Sequence, residues 1–475
     1  MTAQTILPAN SVTGGFDVVN SAMFDGTSAY MHKTPDSGPS SADLFTISVW
    51  VKRCAIGSGN RQVIFDARED AENFDRISIN ANVLEWKGIR SDSQVFNLTT
   101  NRVFRDPSAW YHLHFIWDSA DGTANNRMRI YVNGVQETSF GTRANPSQNV
   151  DAIIGADGEV NSVGSGARSG DFWDGYMAEF AYLDGQELTP DGNTGEFEED
   201  SGIWKPIKVS GLTFGTNGFY LDFQASGNLG NDANGGTDLT EVGFAATDQA
   251  TDTCTNNFCT LNSIDNFFAG STLAEGNCKV TYLAGSGKYA YNTGTITLTS
   301  GKWYHEVKIA QSVGSNYNMF GIEEVVCPSA GHEFLESSTG FVLNGNNGKI
   351  IVDGTDTTYG NATAVNDIIG VYIDLDNNKI YFSENGTLNN SGTGQSISAV
   401  SATTQGLYFV IGGDYSSGTV GIHQFNFGGC AAFTVSSAVS DDNGHGNFEY
   451  SPNITGDSVA KKFYAICSKN LAEFG

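Results

Sequence analysis

Short alternations of apolar and polar residues, separated by turn residues, run through the whole sequence. The run Ala109–Trp117 alternates aromatic and polar positions and predicts a strand. The run Arg129–Val135 contains the pair Asn133-Gly134, which supplies the two positive φ angles of a type I′ turn and so predicts a β-hairpin. No long stretch with a 3.6-residue period intervenes, and this pattern is typical of a β-sandwich.

The second half of the chain repeats the pattern. Lys302–Ile309 is another aromatic-rich alternating run. Ile373–Gly386 predicts two strands joined at Asn377-Asn378, followed by a second turn at Asn385-Gly386. The sequence therefore predicts an all-β protein made of two consecutive antiparallel β-sandwiches, with helix confined to short pieces beginning at Thr189 and covering 459–466.

Turn-rich and apolar stretches suggest how the chain is divided. Gly227–Gly236 is turn and loop material, whereas Gly218–Phe223 is a candidate strand, which indicates an ordered linker. The apolar end Phe463–Cys467 indicates a segment that docks on a surface. We predict an N-terminal arm at 1–14, a first sandwich at 15–205, a linker at 206–262, a second sandwich at 263–430 and a C-terminal docking segment at 431–475.

Composition and charge narrow the function. Only 16% of the residues are charged and 57 are Gly, which suits strands and tight turns. The 53 acidic and 25 basic residues give a net charge of −28, which repels phosphate backbones and excludes nucleic acid as a partner. The N-terminus lacks the regions of a secretory signal, and no run approaches the roughly 20 apolar residues of a membrane span, so we expect no membrane insertion.

The seven cysteines do not form a recognisable framework. Their number is odd and their spacing irregular, which is a poor fit to a secreted disulfide scaffold. Cys254 and Cys259 have only Cys278 nearby and no adjacent His, so buried thiols are favoured over a zinc site.

Catalytic patterns are also missing from the sequence, and we expect no enzyme activity. A retaining glycosidase needs two carboxylates about 5 Å apart. The acidic clusters Glu69–Glu72 and Glu196–Asp200 have loop-like spacing instead. His112 and His114 share one strand face, as metal ligands would, but they flank core aromatics and no third ligand is evident.

Several motifs resemble known families. The first half resembles laminin-G-type, concanavalin-like jelly rolls through Phe24–Tyr30, Phe45–Lys52, Trp110–His112, Ile130–Gly134, Ile153–Gly155 and Phe172–Glu179. The second half resembles SPRY domains through Gly301–Val307, Phe320–Ile322, Asp367–Asp374, Phe382–Gly386 and Phe425–Gly428. The resemblance implies a laminin-G-like jelly roll followed by a SPRY-like sandwich.

The whole arrangement is similar to virion proteins of marine bacteriophages. The connection Asp252–Asn262 and the ending Ala465–Leu471 take part in this resemblance. It implies a tail fibre, spike or capsid fibre that attaches to a host surface glycan or protein. It also implies other virion proteins as partners, a homo-oligomer, and a location on the tail or capsid surface of a virion after synthesis in the bacterial host cytoplasm. The alternatives are a structural capsid decoration or tail assembly protein without a receptor, a glycan depolymerase, and a cellular adhesin.

Candidate binding residues follow from the resemblance to concanavalin-like and laminin-G-like domains. Concanavalin-like and laminin-G-like sandwiches often bind calcium through loop carboxylates, and the candidates here are Asp66, Asp157, Asp171 and Asp174. An exposed indole can stack on the face of a sugar, and Trp86 and Trp173 are the candidates near loops. Trp50, Trp110 and Trp303 fall at core positions of the families.

Overall fold

The structure, a computed structural model, describes residues 15–57, 59, 61–166, 170–265, 271–282, 288–312, 317–326, 340–352, 354–416, 420–455 and 461–475. The arm predicted at 1–14 and the start of the helix predicted at 459–466 lie outside these ranges. The chain divides into two compact units, with the boundary between Thr255 and Asn256. Each unit is nearly all β, and the predicted fold class is confirmed.

The first unit contains eighteen strands. They are β1 (Ser21–Asp25), β2 (Tyr30–Lys33), β3 (Leu44–Arg53), β4 (Gln62–Arg68), β5 (Phe74–Asn80), β6 (Val83–Arg90), β7 (Ser93–Val103), β8 (Trp110–Asp118), β9 (Met128–Val132), β10 (Val135–Gln136), β11 (Phe140–Ala144), β12 (Val160–Val163), β13 (Asp174–Asp184), β14 (Gly195–Phe197), β15 (Trp204–Pro206), β16 (Phe219–Leu221), β17 (Thr240–Val242) and β18 (Gln249–Ala250).

Two eight-stranded antiparallel sheets form the first sandwich. One has the order β10-β9-β8-β3-β13-β1-β18, with β16 also paired to β13, and the other has the order β11-β7-β6-β5-β4-β12-β2-β17. Their facing sides bury a shared core of aromatic and aliphatic side chains, which includes Phe45, Phe65, Trp86, Trp117 and Phe180. Burial of this apolar surface is the main force that holds the sheets together.

The predicted hairpin at Asn133-Gly134 is confirmed. Asn133 has φ 48° and Gly134 has φ 75°, as a type I′ turn requires. Gly134 has a second role, because a Cβ atom at this position would approach the Trp204 ring to 2.2 Å. The turn therefore serves as the surface on which Trp204 packs.

Residues that the sequence assigned to a linker supply three strands of the first unit. The candidate strand at Gly218–Phe223 is confirmed as β16, and its Phe219 and Leu221 enter the core. The Tyr220 hydroxyl donates to the buried Glu179 carboxylate at a bulge of β13. Strands β17 and β18 pair with β2 and β1. The first unit is thus completed by chain beyond residue 205.

A buried ion pair fixes the end of this unit. Lys52 lies on the outer face of β3, where its ammonium group donates to Asp252 over 2.7 Å. Both side chains are almost fully buried, with 0% and 1% exposure. The Trp110 indole N–H also donates to the Asp252 carboxylate, over 3.1 Å. Since a buried carboxylate needs such partners, the segment after β18 is held against the sheet.

The described residues of the second unit contain fifteen strands and one α-helix. They are β19 (Thr272–Ala274), β20 (Lys279–Tyr282), β21 (Lys288–Leu298), β22 (Lys302–Gln311), β23 (Met319–Glu323), β24 (Phe341–Asn344), β25 (Lys349–Val352), β26 (Thr355–Thr358), β27 (Ile368–Asp374), β28 (Lys379–Glu384), β29 (Thr387–Leu388), β30 (Gln395–Ser396), β31 (Tyr408–Ser416), β32 (Gly421–Asn426), β33 (Tyr464–Ala465) and α1 (Ser468–Phe474).

Two sheets again form a sandwich. The nine-stranded sheet has the order β19-β20-β32-β22-β27-β28-β29, with β30 on β28 and β33 on β22, and the six-stranded sheet has the order β21-β31-β23-β24-β25-β26. Trp303, Val307 and Ile309 of β22 point into the core between the sheets. The turn at Asn385-Gly386 has φ 49° and 77°, which confirms the second predicted turn.

The C-terminal segment docks on the second sandwich. Tyr304, on the outer face of β22, joins Phe448, Phe463 and Cys467 in a separate buried cluster. On the same face the Glu306 carboxylate accepts hydrogen bonds from the Tyr304 hydroxyl, the Asn426 amide and the backbone N–H groups of residues 449 and 450. Burial raises the pKa of Glu306 to about 7. The apolar residues near the C-terminus are therefore buried within the second unit.

Both predicted helices are wrong. The segment after Thr189 forms turns that lead into β14, and residues 461–466 contain β33. Tyr464 and Ala465 pair with β22 as the parallel strand β33. The α-helix begins after this strand, at Ser468. No helix in the described part of the chain has the length and apolar character of a membrane-spanning segment.

We expect Lys52→Met to lower the free energy of unfolding of the first unit by about 3–5 kcal/mol, because it leaves the buried Asp252 carboxylate without its cation. Urea titration followed by tryptophan fluorescence measures this, since six of the seven Trp residues fall at positions 50–204. Lys208→Met, at an exposed lysine of the same unit, is the control and should change stability by no more than about 0.5 kcal/mol. Equal effects of the two substitutions would contradict this role of Lys52.

Candidate binding sites

A cleft opens at the rim of the first sandwich. It has a volume of about 220 Å³ and is lined by Gly26, Ala55, Gly59, Arg61, Gln62, Asp171, Phe172 and Asp174. Two of the four predicted aspartates, Asp171 and Asp174, are therefore neighbours in space. Asp171 lies in the loop before β13, in the left-handed region at φ 51°, and Asp174 is the first residue of β13.

Two arginine side chains pair with the Asp171 carboxylate of this cleft. The Asp171 carboxylate accepts from Arg76 over 3.2 Å and from Arg61 over 3.4 Å. Arg76 also donates to the buried Asp66 over 2.7 Å. Asp66 and Asp171 are thus joined through one guanidinium group. Asp157 is exposed in a turn and does not line the cleft.

The cleft does not fit the predicted calcium site. Calcium takes six to eight oxygen ligands, and its sites are rich in unpaired carboxylates. Here two guanidinium groups already neutralise Asp171, and Asp66 lies in a buried ion pair. The described residues contain no group of three His, Cys, Asp or Glu side chains arranged for a metal ion. Asp66 and Asp171 are better explained as partners of arginine, and Asp157 is an exposed turn residue.

The two tryptophans proposed for sugar stacking are core residues. Trp86 and Trp173 are both 0% exposed. The Trp86 ring meets Phe115 edge-on at 5.6 Å and Trp117 at 6.0 Å. Neither indole presents a face to a ligand in solvent, so this prediction fails. The register of β6 turns Trp86 inward, and the loop before β13 packs Trp173 into the same core, and a single sequence reveals neither. Trp50, Trp110 and Trp303 are buried, as predicted.

The two histidines of β8 take part in a buried hydrogen-bond network. The Trp204 indole donates to Nδ1 of His112 over 3.0 Å, so Nε2 carries the proton and donates to the Ser48 hydroxyl over 2.7 Å. His114 bonds the Leu188 carbonyl through Nε2 over 2.7 Å. Burial lowers the pKa of both imidazoles, that of His114 to about 4. The structural role of these histidines is favoured over a metal site.

The six described cysteines are all buried thiols: Cys54, Cys254, Cys259, Cys278, Cys430 and Cys467. This agrees with the prediction of buried thiols. Cys327 lies outside the described residues.

A larger cleft lies at one end of the second sandwich. Its volume is about 710 Å³. Its walls are residues 299–300 before β22, the β27–β28 hairpin and the loop 399–406 before β31. The side chains on these walls are hydroxyl, amide or apolar groups. We call this the neutral cleft.

Sequence reasoning missed the neutral cleft. The run Ala399–Gly406 is a polar stretch between strands, and its composition matches any surface turn. Only the folded sheet brings it beside Ser300 and Asn378, which are distant in sequence. A spacing pattern that would have revealed the cleft is absent from the chain.

Comparisons with known proteins agree with this architecture. Residues 25–191 match the family model described as the concanavalin A-like lectin/glucanases superfamily, and residues 302–421 match the SPRY domain. The chain carries a laminin-G-like domain followed by a SPRY domain. Lectin-like and SPRY domains together suggest a binding function.

Solved structures show more distant similarity. The SPRY domain of human HERC1 is 16% identical, with 34% of this chain and 94% of that chain covered and a TM-score of 0.27. A heptameric SAP-like pentraxin from Limulus polyphemus is 17% identical, with 37% and 81% covered and a TM-score of 0.28. The chain has no significant match among curated proteins. The domain assignment therefore rests on the two family models.

We expect calcium to leave the thermal unfolding of the laminin-G-like domain unchanged, because arginines hold the Asp66 and Asp171 carboxylates. A site present at calcium about 100 times above its Kd would add about 2.7 kcal/mol of stability. Calorimetry in about 1 mM calcium chloride and in EDTA makes the comparison. A rise in the unfolding temperature with calcium that the substitution Asp171→Asn abolishes would contradict this expectation. It would show that calcium binds at Asp171.

We expect the two buried histidines to make this domain less stable as the pH falls from about 6.5 to about 4. The unfolded histidines bind protons near pH 6.5, whereas the folded pKa of His114 is about 4 and that of His112 is also lowered. Within this window each histidine contributes a slope of about 1.4 kcal/mol per pH unit. Urea titrations between pH 7.5 and 4.5 measure the slope.

The variant His112→Gln/His114→Gln is the control for this measurement. Glu179 acts in the opposite direction, because burial raises its pKa to about 7 and its folded form holds a proton that the unfolded form has released. The difference in slope between wild type and variant removes this contribution. Equal slopes would mean that the histidines do not remain neutral in the folded domain.

Proposed function

We propose that this chain is a non-enzymatic component of a bacteriophage particle that attaches to a glycan or protein on the host surface. The observation that carries the proposal is the succession of a concanavalin-like domain and a SPRY domain in one chain. Function in such sandwiches lies in loops and clefts held by rigid sheets. The phage context comes from the resemblance of the connecting and terminal segments to virion proteins.

Within each sandwich, packing on the outer sheet face supports a ligand-binding role for the ends of the sandwich rather than for its faces. In the laminin-G-like domain, Trp204 and the segment around Asp252 cover the outer side of β3 and β8. In the SPRY domain, Phe448, Phe463 and Cys467 of the C-terminal segment cover the outer side of β22. The outer sides of these strands are therefore covered and do not offer a surface to a ligand. The concave surfaces that remain include the cleft at the rim of the laminin-G-like domain, which we call the rim cleft, and the neutral cleft. Both lie among loops.

The charge of the chain suits an attachment protein. A net charge of −28 opposes casual adsorption to anionic bacterial surfaces. Binding then depends on short-range contacts with a matching ligand, which gives selectivity. Many copies on one particle would raise a weak single-site affinity by multivalency.

The alternative is a structural decoration or tail assembly protein without a receptor. In that reading the apolar C-terminal segment would serve as the contact with the particle. The burial of Phe463, Ile466 and Leu471 within the SPRY unit weighs against this use of the segment. The attachment role does not need it.

We expect antibodies against this chain to label the tips of tail fibres or spikes on the particles that contain it. Immunogold electron microscopy of purified particles makes the measurement, with particles that lack the gene as the control. Label spread over the capsid would favour decoration over attachment. Particles without label would contradict a virion role altogether.

A further inference from the structure

We propose that the neutral cleft of the SPRY domain binds an uncharged oligosaccharide. The inference rests on the proposed function, and it names both the site and the chemical class of the ligand. Four observations carry it: the absence of charge in the lining, polar groups without internal partners, a fixed wall, and a volume that suits a short glycan.

The first observation is electrostatic. The described lining of the neutral cleft contains no ionisable side chain, although acidic residues are abundant in the chain. Leu375, Ala399 and Val400 supply apolar surface, and the other lining residues are Ser, Thr, Asn, Gln and Gly406. A charged ligand would find no counter-ion here, and its desolvation would be unfavourable. A neutral ligand rich in hydroxyl groups matches this lining.

The second observation concerns hydrogen bonding. The side chains of Ser300, Asn378, Ser401 and Gln405 line the cleft and have no hydrogen-bond partner within the described part of the chain. A serine hydroxyl both donates and accepts, and a carboxamide does so through separate atoms. Sugar hydroxyl groups also donate and accept. The four side chains can therefore bond adjacent hydroxyl groups of one sugar ring or of two.

The third observation is that the wall carrying two of these groups is fixed. The buried Glu324 carboxylate accepts from the backbone N–H and the hydroxyl of Thr404. The Thr403 hydroxyl donates to the Val400 carbonyl over 2.8 Å and accepts from the Leu407 N–H over 3.1 Å. The loop that presents Ser401 and Gln405 is thus ordered before a ligand arrives. Preorganisation of this kind reduces the entropy lost on binding.

The fourth observation is the size of the cleft. The volume of about 710 Å³ falls within the roughly 300–1,000 Å³ typical of small-molecule sites. A short stretch of glycan fits this volume.

The test is saturation-transfer-difference NMR on the full chain. The probes are neutral hexaoses of glucose, galactose and mannose, with a hexamer of galacturonic acid and a sulfated hexaose as charged counterparts. We expect at least one neutral hexaose to bind, and the charged probes to show no transfer. The double variant Ser401→Ala/Gln405→Ala should weaken binding by about tenfold or more, because it removes two hydrogen-bonding groups.

The matched control is Gln224→Ala/Ser440→Ala. It removes one exposed glutamine and one exposed serine that do not line the cleft, so binding should stay unchanged. Both Ser401 and Gln405 are exposed, and circular dichroism should show that the test variant is folded.

The outcomes distinguish this inference from the function on which it rests. If neutral hexaoses bind wild type and the cleft variant equally, or if only charged probes or host proteins bind, the cleft assignment is overturned and the attachment role stands. If wild type binds neither these probes nor host cells, the attachment role and the cleft assignment both fall. Selective loss in the cleft variant supports both.

Discussion

Each sandwich depends on one buried carboxylate that fixes the segment covering its outer face. In the laminin-G-like domain Asp252 meets the Lys52 ammonium and the Trp110 indole. In the SPRY domain Glu306 meets two side chains and two backbone N–H groups. An unpartnered carboxylate in these positions would be strongly unfavourable, so the covering segment has one place to lie. The central strands β3 and β22 are consequently buried on both faces.

This constraint shapes what the protein can do. A sheet face that is already covered cannot receive a partner, so recognition moves to the loops and clefts between strand ends. The rim cleft and the neutral cleft differ in character, since the rim cleft contains arginine–aspartate pairs and the neutral cleft contains hydroxyl and amide groups. Each domain therefore carries a cleft of different chemistry, and both clefts are supported by the same kind of rigid β-sandwich. We infer that attachment uses the neutral surface for glycan.

The sequence predicted local structure better than it predicted sites. Alternating runs and Asn-Gly turns placed β8, β22 and their neighbouring hairpins, because these signals act over a few residues. The aspartates and tryptophans proposed for binding depended on which way a strand or loop turns, and this is decided by partners far along the chain. Asp171 meets Arg76 and Trp86 meets Phe115 only after the sheets form. The neutral cleft arises from three segments that no periodicity connects.

Competition for adsorption tests the central claim of host attachment most directly. Purified chain, displayed in many copies on a bead or a tetrameric carrier, would be added to host cells before the particles that contain the chain. The account predicts that particle adsorption falls in proportion to the occupied cell surface, and that a carrier without the chain has no effect. Adsorption that stays unchanged at saturating carrier, on particles shown to contain the chain, would contradict attachment and leave a structural role in the particle.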